Sequence, residues 1–418
     1  MNGRKKPINR EMSYFFCLLL AMTGCCGFYS YLPGGLALYS KDYIFVLTFL
    51  VALLFGVIQI VKSHKLIYAS KYLKLGVVLV LIIVIEVILT YIRIKQPIIL
   101  IIKEGFYYIV PIICYLTFLQ YKNKGSLKQH ADMIVGFSLV CSAIAIVSFL
   151  LFNLFQLDIL NLRAAGIVIR NGTIRFQVGG AVMLTGIIIS FTRILGKTNS
   201  RLDFINVIAG MFHIIAIYKT RTVIFYMLVT VAIYILMQKR FNKLLRGLII
   251  LAIIVLMVLA VVSTDTINTS IAGYLNADAG VLMRYRAIGF YMNQFYEHPI
   301  FGMGLISSST SINGWQLLYG PEGRFYRSDV GIIGVLNALG IVGLIWVIYF
   351  FTIIYKALKS KKDGYALMIK SITNYLLVSM VNLAFLSSSS FVMFICLVFV
   401  MMYLYEHIDT GEHETKLY

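Results

Sequence analysis

The chain has 418 residues, of which 60% are apolar, 14% aromatic and 13% charged, and its mean hydropathy is +0.88. A soluble domain is roughly 45–50% apolar and about 25% charged, so a water-soluble body is excluded; scarce charge and abundant aromatics exclude a disordered one as well. A net charge of +20 would suggest nucleic acid in a soluble protein, but here the distribution of that charge assigns it to membrane topology.

A spanning helix uses about 20 apolar residues. In chain order the apolar runs are 13–32, 42–61, 74–92, 98–120, 133–155, 177–195, 203–219, 222–237, 244–263, 330–355, 365–386 and 391–405. They are continuous rather than alternating, which argues for helices and against a membrane barrel. The expected fold is therefore all-α, a polytopic integral membrane protein with about twelve spans. Placing the N-terminal Arg4, Lys5, Lys6 and Arg10 in the cytoplasm and alternating puts 24 of the 37 Lys and Arg residues on the cytoplasmic side, as the positive-inside rule requires. Both termini are then cytoplasmic, and contact with anionic lipid follows from the same charges. Three regions result: spans one to nine over 1–263, interrupted by an outer loop at 156–176; a large outer loop at 264–329; and spans ten to twelve with a cytoplasmic tail over 330–418. The cysteines all lie within apolar runs, lack zinc-ligand spacing and read as small core residues.

The cations left on the outer face include nine arginines: Arg93, Arg163, Arg170, Arg175, Arg221, Arg284, Arg286, Arg324 and Arg327. Topology needs only charge, so it does not account for a preference for Arg. A guanidinium offers a planar fork of donors that suits phosphate and pyrophosphate, and an anion-binding outer face is expected. Glu86, Lys103, Glu104 and His213 fall in the outer parts of spans, where charged side chains are costly and usually face a cavity. No Walker loop, dinucleotide glycine fingerprint or His-Glu-x-x-His is present. The histidines form no metal cluster and no Asp-x-Asp pair occurs, so neither cofactor nor metal is expected.

Within the large loop, residues 281–297 have the apolar pattern of a helix lying along a membrane surface. His298-Pro299 ends it, and Gly302 and Gly304 allow a tight return. Arg284 and Arg286 lie about 160° apart around this helix and are expected to face different ways. An Arg-bearing helix, then His-Pro-x-x-Gly-x-Gly, then a loop into a Gly-rich helix resembles the O-antigen ligase/polymerase family. Thr220-Arg221-Thr222 looks like that family's Ser-Arg-Thr element. Arg175 sits where the family carries an Arg before a Gly-rich helix start, and Ser328-Asp329-Val330-Gly331-Ile332 looks like the entry to the helix after the large loop. The family's ligases usually carry His-Asn or His-Ser where this chain has Arg327-Ser328-Asp329, which favours the polymerase branch.

The resemblance implies a membrane glycosyltransferase of the bacterial plasma membrane whose donor and acceptor are undecaprenyl-pyrophosphate-linked glycans at the outer leaflet. It implies metal-independent transfer, with arginines neutralising the charge that develops on pyrophosphate. Arg221, Arg284 and Arg175 are the expected pyrophosphate ligands, and Asp329 or Glu297 the expected base for the acceptor hydroxyl. Arg286, Arg327, Lys103 and His298 complete the expected substrate-binding set, with His298 acting mainly by capping its turn. A chain-length regulator and a flippase of the same pathway are the expected protein partners, and no nucleic acid is. Two alternatives stay open. One is a glycan ligase, with the same chemistry on another acceptor. The other is a polysaccharide flippase or transporter, for which matching halves with broken helices at midplane would be expected.

Overall fold

A computed structural model describes residues 71–105, 127–157, 180–218, 221–238, 279–307, 312–381 and 389–407, apart from isolated positions, and a few single positions besides. Every regular element among the described residues is helical. In order these are α1 (Lys71–Ile94), α2 (Leu127–Phe155), α3 (Gly180–Gly196) and α4 (Arg201–Phe212), which runs on as a π-helical segment, His213–Tyr218. Then come α5 (Arg221–Met237), α6 (Ala279–Glu297), α7 (Ile312–Tyr319), α8 (Ile332–Leu358), α9 (Gly364–Ser379) and α10 (Ser389–His407). The stretch 98–105 is helical too.

Among the described residues four helical segments, Lys74–Ile94, Leu127–Phe155, Arg201–Tyr218 and Ile332–Leu358, are long and apolar enough to cross a membrane. Their surfaces have the character of a helical membrane protein. On α1, Val77, Leu81, Ile85, Ile88 and Ile92 are exposed, whereas Glu86 and Thr90 are buried. Apolar side chains outside and polar ones inside suit a helix whose solvent is hydrocarbon. The apolar runs read from sequence coincide closely with α1, α3, α4 and α5. α2 begins six residues before the expected span at 133, and α9 ends at Ser379 rather than 386. The expected spans 13–32 and 42–61, nearly all of 244–263 and of the loop 156–176, and the tail beyond 407 lie outside the described residues.

Small and polar side chains let the helices approach one another. Gly186 of α3 lies against Ser138 of α2, and Gly210 of α4 against Ile187 of α3; small residues at such crossings bring backbones together. A polar thread ties the same helices: Ser138 Oγ donates to Asn206 Oδ1 at 3.0 Å, and Asn206 Nδ2 to Ser190 Oγ at 3.0 Å. α9 lies inside the bundle, packed by α3, α5, α8 and α10. At one end of the bundle Asp363 caps α9 through the Ala366 N–H and accepts from the Tyr405 hydroxyl, and Tyr72 of α1 reaches Glu406 at 2.8 Å. At the other end Ile332 N–H donates to Met380 O at 3.0 Å, so α8 and α9 run in opposite directions.

α8 is not one continuous helix. Gly340 has φ 61°, ψ −159°, which breaks it one third of the way along. A break in an apolar surrounding strips backbone groups of their partners. The segment after α6 supplies them. Met303 and Gly304 N–H donate to Asn337 O (2.7 Å) and Ala338 O (3.1 Å), and Ile341 and Val342 N–H donate to Pro299 O (2.9 Å) and Ile300 O (3.2 Å). The two strands of backbone cross at two glycines: a Cβ on Gly340 would collide with the Ile300 carbonyl, and one on Gly302 would come within 2.6 Å of Asn337 O. Gly340→Ala is therefore expected to cost at least about 1–3 kcal/mol from the left-handed conformation alone and to lower the thermal unfolding midpoint in detergent. Gly136→Ala in α2, with nothing within 4 Å, is the matched control and should leave the midpoint unchanged or raised.

Candidate functional site

The segment 298–307 that repairs α8 also assembles a charged node. α6 ends at Glu297, where Pro299 cannot be accommodated in a continuing helix; His298 N–H closes on Phe295 O at 3.0 Å, and His298 O accepts from Gly302 N–H at 2.8 Å. Gly302 and Gly304 then take positive φ, 64° and 93°. The turn brings the chain onto one face of α1. Leu305 N–H donates to Thr90 Oγ1 at 2.9 Å, and Ser307 exchanges two hydrogen bonds with the Gln96 amide, 3.0 Å from its N–H and 2.9 Å to its carbonyl. Gly304 lies so close to α1 that a Cβ would overlap Thr90 Oγ1 and stand 3.5 Å from Glu86 Oε2. α6 is held from its other side. Asn337 Nδ2 donates to Tyr291 O and Gln294 Oε1, while Tyr291 and Gln294 donate to the carbonyls of Leu318 and Leu317 on α7.

Two guanidiniums meet this turn. Arg93, near the end of α1, donates to Gly302 O, and Arg327 donates through Nη1 to Gly304 O at 3.0 Å. Arg327 reaches in from a short 3-10 turn, Arg327–Asp329. Both residues are partly exposed, but Arg327 Nε and Nη2 are enclosed and have no hydrogen-bond partner. Burial lowers the Arg327 pKa from its usual value, and Tyr291, Tyr108, Glu104 and Glu86, which face it, pull it back; a guanidinium remains charged throughout. Burial likewise raises the Tyr291 phenol, against the pull of Arg327. Glu86 is fully buried, lies within electrostatic reach of Arg93 and Arg327, and has no hydrogen-bond partner on either oxygen. Glu86 and Arg327 are thus gathered here without a hydrogen bond between them.

The expected site residues divide around this node. Arg327 is in it. Asp329, partly buried on the same 3-10 turn, accepts from Ser328 Oγ at 3.4 Å and acts electrostatically on Tyr291. Arg284 is partly buried on α6, whereas Arg286 is exposed and pairs with Glu322 at 3.3 Å, so the two arginines differ in setting as their spacing requires. Glu297 and Lys103 are exposed and His298 is partly buried in its turn. Arg221 is the first residue of α5, and Arg175 lies outside the described residues. His213 is buried in the π-helical segment with neither ring nitrogen hydrogen-bonded. Among the described residues no three of His, Cys, Asp and Glu are grouped to hold a metal ion. From the sequence Arg93 stands out only as one of the outer-face arginines, and Thr90, Gln96, Tyr108 and Tyr291 do not stand out at all. A signal was present for two of them: Glu86, Thr90 and Arg93 recur at i, i+4 and i+7, one face of a helix.

No family model matches the chain, and a search of curated proteins finds no match.

Gln96 and Ser307 are both buried, so Gln96→Leu removes both hydrogen bonds between them at a cost of about 0.5–1.5 kcal/mol each. Limited proteolysis of the purified protein should then cut near Ser307 faster than in the unsubstituted chain, and equal cleavage rates would show that this clamp does not hold the turn.

Proposed function

We propose that this protein is a polymerase of polysaccharide repeat units carried on undecaprenyl pyrophosphate. In this reading it lies in the bacterial plasma membrane with about twelve spans and both termini cytoplasmic, and presents 264–329 at the outer leaflet. The growing glycan passes from its pyrophosphate carrier to a hydroxyl of the next lipid-linked unit. The observation that carries the reading is Arg327, with two enclosed, unpartnered donor nitrogens beside a second guanidinium, Arg93, anchored two residues away on the same turn. That turn is the His-Pro-x-x-Gly-x-Gly element on which the resemblance to the O-antigen ligase/polymerase family rests. Free N–H groups of a charged fork, held in place before substrate arrives, suit phosphate oxygens. They stabilise the charge that grows on the leaving pyrophosphate without reorganising. The pyrophosphate leaves already activated, and the remaining task is to hold the acceptor hydroxyl in line.

Deletion of the gene should leave single lipid-linked repeat units at the outer leaflet. Accumulated full-length chains would make the protein a ligase, and single units trapped at the inner leaflet a flippase. Arg327→Lys substitutes a point charge for a fork; polymer should fall about 10²-fold or more at unchanged membrane abundance. Arg221→Lys and Arg284→Lys test the wider arginine set in the same way. Arg324→Lys, an exposed loop cation, should make normal polymer. Polymer on gels together with immunoblots reads all four, and normal polymer from Arg327→Lys removes Arg327 from the site.

The topology has its own test. Single cysteines at positions 125 and 361 should be shielded from an impermeant thiol reagent in intact cells, and one at 310 should react. Labelling at 125 from outside would overturn the expected span count.

A further inference from the structure

Glu86 does something the fold alone does not require. Buried carboxylates are ordinarily satisfied by hydrogen bonds, yet both of its oxygens lack a partner. Each of its polar neighbours gives one hydrogen bond to or takes one from the loop backbone: Arg93 donates to Gly302 O, Arg327 donates through Nη1 to Gly304 O, and Thr90 Oγ1 receives the Leu305 N–H. Gly304 packs over this fully buried carboxyl, and a Cβ there would stand 3.5 Å from Glu86 Oε2. A bare acceptor and the bare donors of Arg327 therefore belong to one node. Such a pair complements a hydroxyl that must lose a proton next to a phosphate oxygen that must gain negative charge. The two carboxylates favoured by sequence position are placed less suitably, since Glu297 is exposed and Asp329 already accepts from Ser328.

We infer that Glu86 is the catalytic base that takes the proton of the acceptor sugar's hydroxyl. This rests on the polymerase reading above and specifies its acceptor side. The acceptor oxygen forms the new bond to the anomeric carbon of the donor. The bond from that carbon to the carrier's phosphate oxygen breaks, and its electron pair leaves with the pyrophosphate. The hydroxyl proton passes to a Glu86 oxygen and later to water. Nothing is oxidised or reduced, and Arg327 meets the charge gained by the leaving group.

The experiment compares Glu86→Gln and Glu86→Asp, expressed as full chains in a strain lacking the chromosomal gene. Glu86→Gln keeps the shape and removes the base, so polymer should fall about 10²–10⁴-fold, the usual worth of a positioned base. Membrane abundance and unfolding midpoint should stay at or above those of the unsubstituted chain. Binding of farnesyl pyrophosphate to the purified protein, read by thermal shift, should be kept or tightened, because a negative charge next to the anion is lost. Glu86→Asp retains a carboxylate set back by one methylene and should recover part of the activity. Normal polymer from Glu86→Gln overturns the assignment. So does loss of folded protein or of pyrophosphate binding in that variant, since the carboxylate is then a structural charge. If the deletion strain itself fails to accumulate single repeat units, the polymerase reading falls; if it accumulates them and Glu86→Gln restores polymer, only the role of Glu86 falls.

Discussion

The structure depends on an exchange of four backbone hydrogen bonds where α8 is interrupted. A helix satisfies its own backbone, which is why helices cross hydrocarbon at all. An interruption forfeits that self-sufficiency, and the amides and carbonyls on either side of Gly340 are completed from outside, by Pro299, Ile300, Met303 and Gly304. The partner segment therefore has a course dictated by α8. It must turn back at His298-Pro299 and cross at Gly302. It then presents the Gly302 and Gly304 carbonyls to Arg93 and Arg327. The position of each guanidinium follows from a defect in a helix to which neither belongs.

The same arrangement governs the electrostatics. Desolvating charged groups costs several kcal/mol each unless opposite charges and hydrogen bonds compensate. For Glu86 compensation comes through space rather than by hydrogen bonds: Arg93 and Arg327, which lie within electrostatic reach of it, donate to carbonyl oxygens. This arrangement leaves donors on Arg327 and both acceptors on Glu86 uncommitted. Closed ion pairs, such as Arg193 with Asp132 at 2.6 Å toward the far end of α3, have no such capacity and serve to tie helices together.

The sequence made some of this legible and hid the rest, for physical reasons. Helix extents were readable because apolar runs of spanning length have few other uses, and the stop at Pro299 with the two glycine turns was readable because proline and glycine act locally. The break at Gly340 was hidden. Leu339-Gly340-Ile341-Val342-Gly343-Leu344 reads as ordinary membrane helix, and only the distant 299–304 segment makes an interruption there tolerable. Glu86 and Arg327 were each visible as charges. What brings them within electrostatic reach is a fold that spans more than two hundred residues of chain, and no periodicity records that. Arg327 stood out in the sequence as an outer-face arginine expected to bind substrate, while the i, i+4, i+7 face of Glu86, Thr90 and Arg93 is present in the pattern of α1 but masked by the apolar residues around it.

α9 carries a consequence for how the protein is made. From Ala366 through Leu376 its residues are buried without interruption, so it has no side to turn toward lipid. Its shell is drawn from α3 and α5, which leave the ribosome long before it, and from α10, which leaves after it. Until α10 arrives, α9 lacks part of that shell, and Asp363 lacks the Tyr405 hydroxyl that it accepts. The centre of the bundle is thus closed late in translation, by helices that must find neighbours already in the membrane. The Tyr72–Glu406 bond, joining α1 to the end of α10, is among the contacts that complete it. A chain cut short before α10 would leave α9 without part of its shell, which makes this pair of helices a part that cellular quality control has reason to inspect.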